Sequence, residues 1–241
     1  MCSIQPTTIG LVCCWLILQA CQGDCAKNTG AISKQSRPLT AFKQVIVRDG
    51  IQLQLVQSTE ERLDLEAGVN LLSGIQAQQE GDVLTIQNNN ACNWVRNQKI
   101  PIKATLYFKD LEALSLLGFG SLTTPDTLRL NQLRLVNNGQ GDADLLIRCP
   151  EVEVLVVELG NVTLAGNATK LTLTMDSFGS FRGERLQVST CTLAHSAEGD
   201  AWLRVSQLLQ GELRNVGNVW LWGNPTVAVE QRRSGRIIFR P

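Results

Sequence analysis

Seven glycines, at positions 120, 141, 160, 179, 199, 217 and 235, lie 21, 19, 19, 20, 18 and 18 residues apart. So constant a superperiod leaves few folds open, because each copy must make the same turn at the same place. Ser, Asp or Asn follows six of the glycines, and Arg236 follows the last. Two residues past each glycine stand Leu122, Ala143, Val162, Phe181, Ala201, Val219 and Ile237. Four past it stand Thr124, Leu145, Leu164, Gly183, Leu203, Leu221 and Phe239. Eight and six residues before it come Leu133/Leu135, Val152/Val154, Leu171/Leu173, Cys191/Leu193 and Val227/Val229, with Glu112 and Gly211 breaking this second ladder. Apolar residues at period two belong to strands with one face turned inward. A unit of about 19 residues cannot bury that face alone, so successive units must stack on one core, and the chain reads as an all-β solenoid. A β-sandwich turns roughly every 8–12 residues and gives no reason for the longer period. The glycines are expected to supply corners with φ > 0, each capped by the Ser, Asp or Asn that follows.

The first residues are of a different kind. Ile9 to Leu18 is an uncharged apolar run, too short to span a bilayer and suited to the core of a signal peptide. It ends in Leu18-Gln19-Ala20-Cys21, which resembles a bacterial lipobox with Cys21 as the lipid-bearing residue, although no Lys or Arg precedes Lys27. Residues 1–20 therefore read as a lipoprotein-type signal and 21–40, polar and without period, as a flexible tether. Residues 41–241 read as one domain. Within it 41–117 keep the alternation, as in Val45/Val47 and Ile51/Leu53/Leu55, but lose the glycine register. They are expected to form irregular first coils or a cap, and 118–241 the regular repeats.

The stretches AFKQVIVRDGIQLQLVQS (41–58), GDVLTIQN (81–88) and WGNPTVAVEQRRSGRI (222–237), joined by a train of Gly-Ser, Gly-Asp and Gly-Asn turns, resemble the bacterial GIN-domain proteins. That family is described as putative auto-transporter adhesin heads. The resemblance spans nearly all of 41–241. Gly118-Phe119-Gly120-Ser121 and Gly139-Gln140-Gly141-Asp142 keep the family's paired glycines, and later turns keep one. The resemblance implies a right-handed parallel β-helix, exported and often lipid-anchored, with no established activity.

Catalytic chemistry has little to build on. With 22 basic and 22 acidic residues the net charge is zero, so bulk electrostatics do not draw the chain to nucleic acid, and Arg232, Arg233, Arg236 and Arg240 read as solvated surface. Cys25, Cys92, Cys149 and Cys191 form no CxxC pair, which excludes the common zinc spacings and leaves buried free thiols as the expected state. No P-loop, HExxH or nucleophile elbow occurs, and neither metal nor cofactor is expected. The single histidine, His195, shares a mixed column with Leu116, Asn137, Val156, Met175, Leu213 and Gln231, so it is expected to be a partly buried or surface residue. Asp142 and Asp144 share an outer face two coils from Arg182, and a β-helix lyase or hydrolase of polysaccharides is the alternative they raise. Asp142, however, stands in a column of turn formers with Ser121, Asn161, Ser180, Asp200 and Asn218, which needs no catalysis.

The segment GNVWLWGNP (217–225) carries two tryptophans. Its register turns Val219 and Leu221 inward and Trp220 and Trp222 outward. The outward column three past the glycine runs Thr123, Asp144, Thr163, Arg182, Trp202, Trp220 and Ile238, with Trp222 beside it. With coils about 4.8 Å apart, Trp202, Trp220 and Trp222 should form one aromatic patch. A second copy of the chain, another part of this chain, or a glycan or surface-protein ligand could cover it, with Arg182 and Asp144 nearby. The expected function is non-catalytic binding or scaffolding in the cell envelope, with the membrane touched only by a lipid anchor. The second alternative is an oligomeric envelope spacer.

Overall fold

The computed structural model of the protein describes residues 29–90 and 101–241. The signal-like leader, Cys21, Cys25 and Cys92 lie outside the described residues. Within them, nineteen strands hydrogen-bond into one continuous sheet that winds as a β-solenoid of about 7 turns.

The N-terminal strands are β1 (Ile32–Pro38), β2 (Gln44–Arg48), β3 (Ile51–Gln57), β4 (Arg62–Gly68), β5 (Ile75–Glu80), β6 (Val83–Asn88) and β7 (Ile102–Phe108), with one helical turn, α1 (Val69–Leu72), between β4 and β5. The regular part follows as β8 (Ala113–Gly118), β9 (Gly120–Thr123), β10 (Leu128–Arg129), β11 (Gln132–Gly139), β12 (Asp142–Arg148), β13 (Glu151–Val156), β14 (Val162–Met175), β15 (Phe181–His195), β16 (Ala201–Leu213), β17 (Val219–Trp222), β18 (Thr226–Gln231) and β19 (Ile237–Arg240).

From β8 onward each coil lies directly on the last. One parallel ladder stacks β8, β11, β13, the ends of β14, β15 and β16, and then β18. A second stacks β9, β12, the starts of β14, β15 and β16, then β17 and β19. The register follows the glycine alignment: Ala143 pairs with Val162, Val162 with Phe181, Phe181 with Ala201, and Ala201 with Val219. These inward columns are almost fully buried as far as Val219 and Leu221, while in the last coil Ile237 is half-buried and Phe239 is exposed. In one coil the Phe181 ring fills the space beside Gly183, where a Cβ would lie 2.5 Å from Cε1.

At the N-terminal end the coils are not stacked in chain order. β2 lies between β6 and β8, and β3 between β7 and β9, so β2 and β3 form the second coil and β6 and β7 contribute the terminal one. The outer edges of that terminal coil are covered by antiparallel strands, β5 on β6 and β4 on β7, and β1 then pairs antiparallel with β4. The edge is thereby closed with a polar strand ending in Pro38, the kind of sequence that resists further pairing. This corrects the expectation of a tether through residue 40. Residues 32–38 are a strand, from Ile32 opposite Gly68 to Pro38 opposite Arg62. An edge strand held by backbone hydrogen bonds, with most of its side chains exposed, needs no apolar alternation, so it left no period to read.

The glycines also do their work differently from the expectation. Of the seven, only Gly120 has φ in the left-handed region, at 143°. The others are demanded by close approach. A Cβ on Gly160 would lie 2.0 Å from the Gly141 carbonyl oxygen, one on Gly179 2.4 Å from that of Gly160, and one on Gly217 2.3 Å from that of Gly199. Each glycine Cα sits over the carbonyl below, and no side chain fits between. The residue after the glycine ties neighbouring coils rather than its own corner. Asp142 Oδ1 accepts from the Asn161 N–H at 2.8 Å, Asn161 Oδ1 from that of Ser180 at 3.2 Å, and Asp200 Oδ1 from that of Asn218 at 2.7 Å.

Candidate binding face

The second parallel ladder sets the outward side chains in columns. One runs Thr123, Asp144, Thr163, Arg182, Trp202, Trp220 and Ile238, each in register with the next. The column beside it places Trp222 between Arg204 and Arg240. All three tryptophans are half-buried. The Arg182 guanidinium lies 4.7 Å from the Trp202 ring centroid, and that of Arg240 lies 4.7 Å from the Trp220 ring. Each such contact is worth roughly 0.5–1 kcal/mol at an exposed site. The Trp220 indole N–H donates to Asp200 Oδ2 at 2.8 Å, while the other oxygen of that carboxylate caps the next coil. The Trp202 and Trp220 rings are therefore held in place by the scaffold.

Next to this patch runs an open groove of about 500 Å³, lined by Asn167, Gln187, Ser189, Arg204, Ser206 and Asn224 among others. Arg204 leans along it and donates from Nε to the Glu184 carbonyl at 2.8 Å. The structure thus brings together Arg182, Trp202, Trp220 and Trp222. It leaves Asp144 two coils below Arg182, separated by Thr163. Arg204, Arg240, Asp200 and the amides of the groove were missed by sequence reasoning. Arg204, Trp222 and Arg240 each stand five residues past a repeat glycine, and the same alignment read one column further exposes them.

Asp142 is committed to its cap, since Oδ1 accepts from both the backbone N–H and the Nδ2 of Asn161. It is a coil tie, which leaves Asp144 without the partner the carboxylate-pair alternative requires. Among the described residues no cluster of three metal-ligating side chains occurs. His195 departs from the expectation of a partly buried or surface residue, for it is fully buried, with no side-chain hydrogen-bond partner on either ring nitrogen and only weak contacts to its own backbone and that of Gly199. Its column faces the core from Leu116 to Leu213 and reaches solvent only at Gln231. Burial lowers its pKa from the usual 6.5, against smaller opposing pulls from Asp200 and from the backbone of His195 and Gly199. Asn137, in the same column, donates to the Gly141 carbonyl at 2.8 Å and to that of Asn161 at 3.2 Å.

Cys149 and Cys191 are free, buried thiols, pushed by burial to about 11 and about 12. Thiolate is the reacting form, so alkylation with iodoacetamide at pH 8, read by peptide mass spectrometry, should leave both unmodified until the fold is lost. Labelling of either one in the native protein would contradict this burial.

Comparison with known proteins is consistent with this geometry. The family model for the putative auto-transporter adhesin, head GIN domain, matches residues 41–225. The chain belongs to this family. Membership suggests a protein of the cell envelope or surface with a non-catalytic, adhesin-like role. Among the described residues no helix is long and apolar enough to cross a membrane. The chain is also similar to a solved putative adhesin from Bacteroides fragilis, at 20% identity and TM-score 0.82, covering 87% of this chain and 97% of that one. A putative lipid binding protein from Parabacteroides distasonis matches at 15% identity and TM-score 0.69, covering 88% of this chain and 98% of that one. A putative adhesin from Parabacteroides merdae matches at 16% identity and TM-score 0.64, with 88% and 97% covered. At these identities the likeness is one of fold. No curated protein matches the chain.

Proposed function

We propose that this GIN-domain protein is a non-catalytic adhesin-like module that binds glycans on its tryptophan face, held to the outer membrane through a lipid on Cys21. The observation that carries the reading is Trp202 and Trp220 stacked in register with Trp222 in the column beside them, the first two steadied by arginines and Asp200, next to a groove walled with amides and hydroxyls. Sugar rings present an apolar C–H face and a rim of hydroxyls. A fixed indole meets the first, and Asn, Gln and Ser side chains meet the second. Rigid placement also lowers the entropy cost of binding.

A glycan array probed with the native chain should show a defined set of bound sugars, and Trp220→Ala should weaken that binding about 10–100-fold, as removal of a central aromatic anchor does. Circular dichroism should be unchanged, since the core under Trp220 is made by Val219 and Leu221. An empty array, together with undiminished adherence of cells carrying Trp220→Ala, would sink this reading and favour a spacer role. The anchor is tested separately: Cys21→Ala should move the protein from the membrane fraction to the soluble one.

A further inference from the structure

The corner just before each repeat glycine carries a second apolar feature, on a different surface from the tryptophans. The position preceding the glycine holds, coil by coil, Phe119, Gln140, Leu159, Phe178, Glu198, Val216 and Ser234. Backbone hydrogen bonds stack this column, with Leu159 N–H to the Gly139 carbonyl, Phe178 N–H to that of Glu158 and Glu198 N–H to that of Ser177. Phe119, Leu159, Phe178 and Val216 are exposed by 46 to 55%. They form a ridge along the solenoid axis, about 24 Å from the first to the last at roughly 4.8 Å per coil. Phe119 rests partly over Gly50 in the coil below, and the positions flanking the ridge hold glycine, Ala197 or polar residues.

The ridge is palindromic. Numbering the coils from Gly120, apolar residues stand at the first, third, fourth and sixth, with Gln140 at the second and Glu198 at the fifth. Reversing the order gives the same pattern. We infer that the ridge is the two-fold interface of a homodimer in which two solenoids pair antiparallel, corner to corner. A two-fold contact requires a surface complementary to itself. In this arrangement Leu159 faces the partner's Phe178, Phe119 faces the partner's Val216, and the Gln140 amide meets the partner's Glu198. The flank extends the match, because Asp49, in the coil below Phe119, faces the partner's Arg233. Asp142 faces the partner's Asp200, but each of these carboxylates already accepts a backbone N–H from the coil above.

The parallel pairing is disfavoured by charge. It would set Glu198 against the partner's Glu198 and bring the two clusters of Arg232, Arg233 and Arg236 together at one end. The antiparallel pairing leaves both tryptophan faces on the same side, clear of the interface. A strip running from the coil of Asp49 to that of Arg233 is about 34 Å long at 4.8 Å per coil. A strip so narrow falls at or below the roughly 600 Å² per partner at the low end of specific interfaces, so the dimer is expected to be reversible.

The test is sedimentation equilibrium of the full chain carrying Cys21→Ala, which removes the lipid site. The chain should have twice its own mass at about 50 μM and approach a single chain near 1 μM, as a micromolar dissociation constant requires. Phe178→Asp alone and Leu159→Lys alone should each give a single chain at both concentrations. The two substitutions in one chain should restore the dimer, because each new charge then faces its opposite across the two-fold. Circular dichroism confirms that every variant is folded, as the exposure of both positions leads one to expect. A single chain at 50 μM for the unsubstituted ridge, or a dimer indifferent to Phe178→Asp, would overturn the inference; the second result would place self-association on another face. Glycan binding by the monomeric variants reports on the tryptophan face independently.

Discussion

Gly160→Ala is expected to unfold the solenoid or to cost more than about 4 kcal/mol, the range reserved for gross steric or burial defects. The added methyl would lie 2.0 Å from the Gly141 carbonyl oxygen and 2.7 Å from Asn137 Nδ2. Both are fixed. The first is backbone in the adjoining coil, and the second belongs to a buried side chain hydrogen-bonded to Gly141 and Asn161. Relief requires the coils to separate, which breaks the parallel ladders on both sides of the corner. In a one-dimensional repeat a broken interface between neighbours also uncouples everything beyond it. Gly81→Ala is the control, since a methyl there meets nothing within 4 Å, although φ is +57°. It should cost only the left-handed penalty of about 1–2 kcal/mol. Denaturant titration followed by circular dichroism measures both. Similar midpoints for the two variants would show that close approach is not what the repeat glycines serve.

That contrast bears on how much of the molecule the sequence reveals. The alignment on glycines predicts which residues share a column, and the pairing of Asp144 with Thr163, Arg182 with Trp202 and Trp202 with Trp220 follows it. Register is legible because a slip of one residue would turn Phe181 or Val219 to solvent, so the apolar pattern must encode it. The reason for the glycines is not legible, since φ > 0 and close approach select the same residue. The insertion of β2 between β6 and β8 is hidden for another reason. Strand alternation reports which face is buried but not which neighbour covers the edge. The ridge of Phe119, Leu159, Phe178 and Val216 was open to view in the same alignment. It escapes a search for period-two burial because it lies at the corner, outside the alternating strand positions.

His195 gives the other large effect, through pH. Its unfolded-state pKa is near 6.5, and burial lowers the folded value. Between those two values the unfolded chain binds a proton that the folded chain excludes. The fold is therefore at full stability above pH 6.5 and loses it as pH falls toward the folded pKa, at up to about 1.4 kcal/mol per pH unit. The ion-paired carboxylates Glu112 and Glu212, already lowered from their ordinary 4.5 by Lys43 and Arg214, lose their stabilising contribution only in a more acidic window. His195→Met removes the titration and matches the column, in which Met175 and Leu213 are the neighbours in register. It also removes a buried imidazole whose nitrogens find only weak backbone contacts at His195 and Gly199, where a fully unsatisfied polar group would cost about 1–3 kcal/mol. The substituted chain should therefore be more stable than the native one at pH 7.5, and its denaturant midpoint should stay level from pH 7 to 5 while the native midpoint falls. Parallel pH profiles for the two chains would mean that the imidazole is hydrated or partnered in solution, and that acid sensitivity arises elsewhere.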